Sequence, residues 1–116
     1  MLIVKFTAFD GEKITEDEKV ELLALGHAGF SEKGNDIVCA GVSTLLQTLE
    51  FTLMHCSQAE ERFRFNQEPY KLIFDCKALD SQNMFFINSC FVFCYNGLKL
   101  LENKYPDYIE IITQGK

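Results

Sequence analysis

The run from residue 81 to 104 limits the possible folds more than any other part of the chain. Asp80-Ser81 supplies a helix cap and Tyr105-Pro106 a stop, and between them Met84, Ile87, Phe91, Leu98 and Leu101 form a helical stripe. Phe85, Phe86, Val92 and Phe93 carry the apolar surface almost all the way round. A helix of this kind is either sunk in a core or shared with another subunit. It does not predict a membrane span, because no uninterrupted apolar stretch of about 18 residues occurs.

The remaining elements are short and alternate in pattern. Leu2, Val4, Phe6 and Ala8 share one face of a strand over residues 1–9, and Val20, Leu22 and Ala24 do so over 19–25, so residues 1–25 predict a long hairpin. Asp10-Gly11 is a turn signal between them. Residues 26–35 carry three glycines and predict a loop, after which Val38, Val42, Leu45, Leu49 and Leu53 predict an amphipathic helix over 37–55. Arg62-Phe63-Arg64-Phe65 and Lys71–Cys76 alternate around Asn66-Gln67-Glu68-Pro69, which predicts a second hairpin, and Tyr108–Ile112 a last strand. The 60–64 charge run reads as a solvated edge. No linker, repeat or composition break interrupts the chain, so residues 1–116 read as one α+β domain, a two-layer sheet-and-helix arrangement in the order ββαββαβ. With 47% hydrophobic residues, eleven of all residues being Phe, such a domain fills a core without a metal or disulfide staple.

Charge and cysteine usage narrow the function classes. A net charge of −6, with Arg62 and Arg64 the only arginines, argues against a phosphate-binding face and hence against direct nucleic-acid contact. A basic polypeptide is the better electrostatic match. The N-terminus Met1–Phe6 has no basic flank and reads as a strand, not a signal peptide, which predicts a cytoplasmic protein. The five cysteines (39, 56, 76, 90 and 94) include no CxxC pair, so free thiols are expected. Neither His55-Cys56 nor Cys90/Cys94 has the second half of a zinc site nearby, so neither a metal nor another cofactor is expected. His55 itself reads as a helix-end residue.

One cysteine differs from the others. With Asp36 as the N-cap, Cys39 falls in the first helical turn, where free N–H groups and the macrodipole favour a thiolate and could receive an oxyanion. Asp36 opposes that ionisation unless capping bonds absorb its charge, so a cationic partner is wanted. His27 stands at the end of a strand, beside the glycine loop that must return to the helix start, and could serve as imidazolium and general acid/base. Spacing alone does not separate such a pair from coincidence.

The strings themselves add information. Gly26-His27-Ala28-Gly29-Phe30 followed by Gly34-Asn35-Asp36-Ile37-Val38-Cys39-Ala40-Gly41-Val42-Ser43, with Tyr105-Pro106-Asp107-Tyr108-Ile109 near the end, closely resembles the Prp (YsxB-like) family of bacterial ribosomal-processing cysteine proteases. The resemblance extends over the length of the chain, although residues 56–80 match no motif. It implies a homodimeric endopeptidase that removes a short N-terminal extension from a large-subunit ribosomal protein, with Cys39 as nucleophile and His27 as its base. Asp36 and Ser43 belong to the matched string. Asp36 reads as helix cap and orienter of His27, while Ser43, one turn after Cys39, lines the site or bonds back to the helix. Gly26, Gly29 and Gly34 either permit turns with positive φ or let residues 28–35 close over a substrate backbone. Gly41 departs from the alanine usual in the family, at some cost in helix stability. The competing reading is a non-catalytic ribosome-assembly binding module of the same fold, which has no need of a helix-start thiol. A thiol redox protein is disfavoured because Cys39 has no nearby resolving cysteine.

Overall fold

In a computed structural model the described residues are 1–15, 18–26 and 33–115, residues 33–36 by their backbone alone. The alternation at the N-terminus becomes β1 (Leu2–Thr7), which buries Leu2, Val4 and Phe6 on one face. β2 (Lys19–Leu25) returns antiparallel with Phe6 opposite Leu22 and Val4 opposite Ala24, so the buried sets of both strands coincide. Asp10 holds the connection by accepting from the N–H groups of Glu12 and Lys13, both at 2.9 Å.

The first long helix, α1, runs Lys33–Leu53 and buries Val38, Val42, Leu46, Leu49 and Leu53. It begins before Asp36, which corrects the expected N-cap, and it takes in Gly34, expected in the loop. A carboxylate residue suits the first turn of a helix as well as its cap, so the sequence pattern is compatible with either start. A short helix that the sequence pattern did not reveal, α2 (Ala59–Arg62), precedes the hairpin of β3 (Phe63–Gln67) and β4 (Tyr70–Asp75). Its Arg62 is not merely a solvated edge charge. The guanidinium donates to the carbonyls of Asp75 (2.9 Å) and Lys77 (2.8 Å), tying α2 to the end of β4.

The second long helix, α3, runs Ser81–Lys104, with Asp80 as N-cap accepting from Asn83 N–H at 2.7 Å. It delivers the chain to β5 (Ile109–Gln114), which lies parallel to β1. The sheet order is β3-β4-β2-β1-β5, with every other neighbouring pair antiparallel. This is the expected α+β order ββαββαβ with α2 added. α1 and α3 pack together over one face of the sheet, closely enough that a Cβ on Gly41 would lie 2.9 Å from Leu101 of α3. The family departure at Gly41 therefore falls at a helix–helix approach.

Contrary to the run-based expectation, α3 is long and apolar enough to cross a membrane by length and composition. Its placement explains that apolarity. Ile87, Phe91, Cys94 and Leu98 are buried in the core, where Phe91 meets Phe6 and Phe9 at 6.5 and 6.1 Å between ring centroids. Both ends of α3 join strands of one sheet, so leaving the domain would break it.

Candidate active site

Five thiols compete for any nucleophilic role, and burial separates them. Cys56, Cys76 and Cys94 are buried and Cys90 is half-buried, whereas Cys39 is exposed. Loss of hydration disfavours a thiolate. Burial accordingly pushes the Cys76 thiol up to about 12, helped by the Asp75 charge, and the Cys94 thiol up to about 12, helped by Cys90. Cys56 and Cys90 are raised for the same first reason. Cys39 is the thiol most open to water and to a substrate.

Cys39 is the seventh residue of α1, not one of its first three as expected from the sequence. The amides of that turn are already engaged in the helix ladder, and macrodipole effects fall off within the first turn. The place of Cys39 in α1 therefore supplies neither the unpaired amides nor the dipole end expected of a helix start. What distinguishes Cys39 is its place in a groove.

That groove has a volume of about 920 Å³, within the range of ligand clefts. One wall is the outward stripe of α1, from Cys39 through Ser43, Gln47 and Glu50 to Phe51, with Met54 just past the helix end. The other is Phe63, Phe65, Gln67 and Glu68 of the second hairpin, with Leu2 and Tyr70 also lining it. Phe63 and Phe65 stack at 6.2 Å, and Phe65 meets Tyr70 edge-on at 5.1 Å. Phe51 remains 72% exposed and Phe65 44%, an apolar display that marks binding surfaces. Tyr70 donates its hydroxyl to the Leu46 carbonyl at 3.4 Å, and burial together with the Glu50 charge drives its ionisation far above the ordinary phenol range. Tyr70 thus stays neutral at all working pH values. The described lining includes Glu50 and Glu68 and neither lysine nor arginine, a charge balance suited to a basic polypeptide.

Ser43 lies in the groove with Cys39, and its Oγ accepts from Gln47 Nε2 at 2.9 Å. The back-bonding considered for it occurs instead at Thr44, Thr48 and Thr52, each donating to the carbonyl four residues earlier. Gly26 ends β2 with φ +81°, and a Cβ there would lie 2.5 Å from the Met1 carbonyl oxygen, so the glycine is required. His27 and Gly29, and the side chain of Asp36, lie outside the described residues, as does the expected pairing of His27 with Cys39. His55 stands just past α1 with Nδ1 3.2 Å from the Thr52 carbonyl oxygen, a helix-end role as expected. Among the described residues no three of His, Cys, Asp and Glu gather to hold a metal. The aromatic wall escaped sequence reading, although Phe51 on the otherwise polar face of α1 was a usable signal.

A family model described as cysteine protease Prp matches residues 6–110. No curated protein matches significantly. Among solved structures, SMU.848 from Streptococcus mutans is similar with a TM-score of 0.66 at 24% identity, covering 100% of this chain and 96% of that one. The essential ribosomal processing protease Prp from S. aureus with a substrate peptide gives a TM-score of 0.65 at 20% identity, covering 98% of this chain and 100% of its own. Its structure with a covalently linked product peptide gives 0.63 at 22%, with the same coverage.

Proposed function

The chain belongs to the cysteine protease Prp family, and from that premise we propose that it is the cytoplasmic endopeptidase that removes the N-terminal extension of a large-subunit ribosomal protein precursor, acting as a homodimer. The observation that carries this reading is the exposed Cys39 thiol in a peptide-sized groove, while the other four thiols are buried or half-buried. The described lining of the groove, with Glu50 and Glu68 and neither lysine nor arginine, supports a basic polypeptide as substrate. The S. aureus protease held with its substrate peptide shares the fold.

In this mechanism His27 takes the thiol proton, and Cys39 Sγ attacks the scissile carbonyl carbon. The C–N bond breaks as imidazolium His27 protonates the departing amine, leaving a thioester on Cys39. His27 then deprotonates a water that attacks the thioester, releasing the carboxylate product and restoring the thiol. Asp36 serves as orienter of His27. A synthetic peptide spanning the N-terminus of the host's ribosomal protein precursor tests this. Wild type is expected to cut it at one bond and His27→Ala to leave it whole. A peptide left intact by wild type would favour the binding-module alternative.

A further inference from the structure

The sheet has two outer edges, and the structure treats them differently. At β5 the Ile111 N–H donates to Glu102 Oε2 of α3 at 2.7 Å, so a side chain already occupies that edge. At β3 no described strand lies beyond, and Arg64, Phe65, Asn66 and Gln67 are all exposed. Its one charged residue, Arg64, is turned back onto the carbonyls of Glu61 and Phe63, toward the start of the strand. An open edge carries unpaired N–H and C=O groups that template another strand.

This edge is also a wall of the groove. Phe65 pairs with Leu72 and Phe63 with Phe74, so Phe63, Phe65 and Gln67 point to the side on which the helices lie. We propose that the substrate polypeptide binds as a sixth strand along β3, its alternate side chains entering the space between β3 and α1. The inference rests on the protease reading and adds how the chain is held. The dimensions agree. From Cys39 to Phe51, groove-lining residues of α1, a helix rises about 18 Å, the span of about five extended residues. Cys39 stands toward the Gln67 end of β3, because the opposite end of α1 leads through α2 into Phe63 at the start of that strand, and Cys39 shares the groove with Gln67 and Glu68. Backbone pairing would therefore bring an extended chain along the groove to the thiol in a fixed register.

The test uses the precursor peptide and the Cys39→Ala protein, which holds the peptide uncut. Methylating the peptide's backbone nitrogens one at a time should weaken binding about tenfold at alternate positions and little at those between, since a strand presents its N–H groups to a neighbour every second residue. Hydrogen exchange of alternate amides in Phe63–Gln67 should slow when the parent peptide is added. Losses without a two-residue period, or unchanged exchange in β3 on a peptide that binds and that wild type cleaves, would overturn the strand pairing and leave the protease reading standing. Failure of wild type to cleave and of Cys39→Ala to bind would overturn both.

Discussion

Three thiols are buried, Cys90 is half-buried and Cys39 is exposed, and this difference sets the residue-scale chemistry. Brief iodoacetamide treatment near neutral pH should modify Cys39 first, with Cys76 and Cys94 reacting only on unfolding because burial holds both near 12. Peptide mapping that finds Cys56 or Cys94 labelled before Cys39 would contradict it. The sequence singles out Cys39 by a helix start, whereas the structure distinguishes it by exposure. An aspartate three residues upstream suits a cap or a first turn equally, so the pattern could not fix the start of α1, and exposure depends on what packs nearby. Gly26 makes a second residue-scale prediction. Gly26→Ala meets both the positive φ of +81° and the Met1 carbonyl oxygen at 2.5 Å. Unfavourable backbone of this kind costs about 1–3 kcal/mol, so the urea midpoint of the variant should fall accordingly. An unchanged midpoint would show that the segment relaxes freely.

Elements were legible where their signals are local. The bounds of α3 follow from Asp80 and from Tyr105-Pro106, and β1 and β2 follow from strict alternation. The four-residue α2 is too short to show a period. The groove was invisible for a different reason: its walls are the outward face of α1 and an edge strand that meets it only after folding. Phe91→Ala empties the centre of α3's contact with Phe6 and Phe9 and should cost about 3–5 kcal/mol in a denaturant titration. A loss near zero would mean that the aromatic cluster does not anchor the helix. The cap of α3 gives a pH dependence. The bonds from Asn83 hold the Asp80 carboxyl below the ordinary carboxylate range. A carboxyl depressed in the folded state adds stability that is complete above its unfolded value, near pH 4, and is lost as pH falls through the folded value. Asp80→Asn, an equally good cap, should flatten that part of the acid limb seen by circular dichroism. An identical acid limb in both proteins would exclude Asp80 as a contributor.

At the scale of the whole molecule, α3 keeps the two-sided character expected of it. One side fills the core, while Phe85, Phe93 and Leu100 stay 74%, 75% and 71% exposed on the other. Covering such a surface is the physical case for the homodimer proposed above. Sedimentation at tens of micromolar, roughly the range where exposed apolar surface self-associates, should show a dimer that Phe85→Ser with Phe93→Ser dissociates. A monomeric wild type would contradict it. The central claim, that the Cys39 thiol is the nucleophile, has a more direct test. The precursor peptide is incubated with wild type and with Cys39→Ala, and products and bound peptide are measured in parallel. Cys39→Ala is expected to give no detectable cleavage with peptide affinity nearly intact, because one sulfur is removed from a site held by many other contacts. Undiminished cleavage by Cys39→Ala would contradict it.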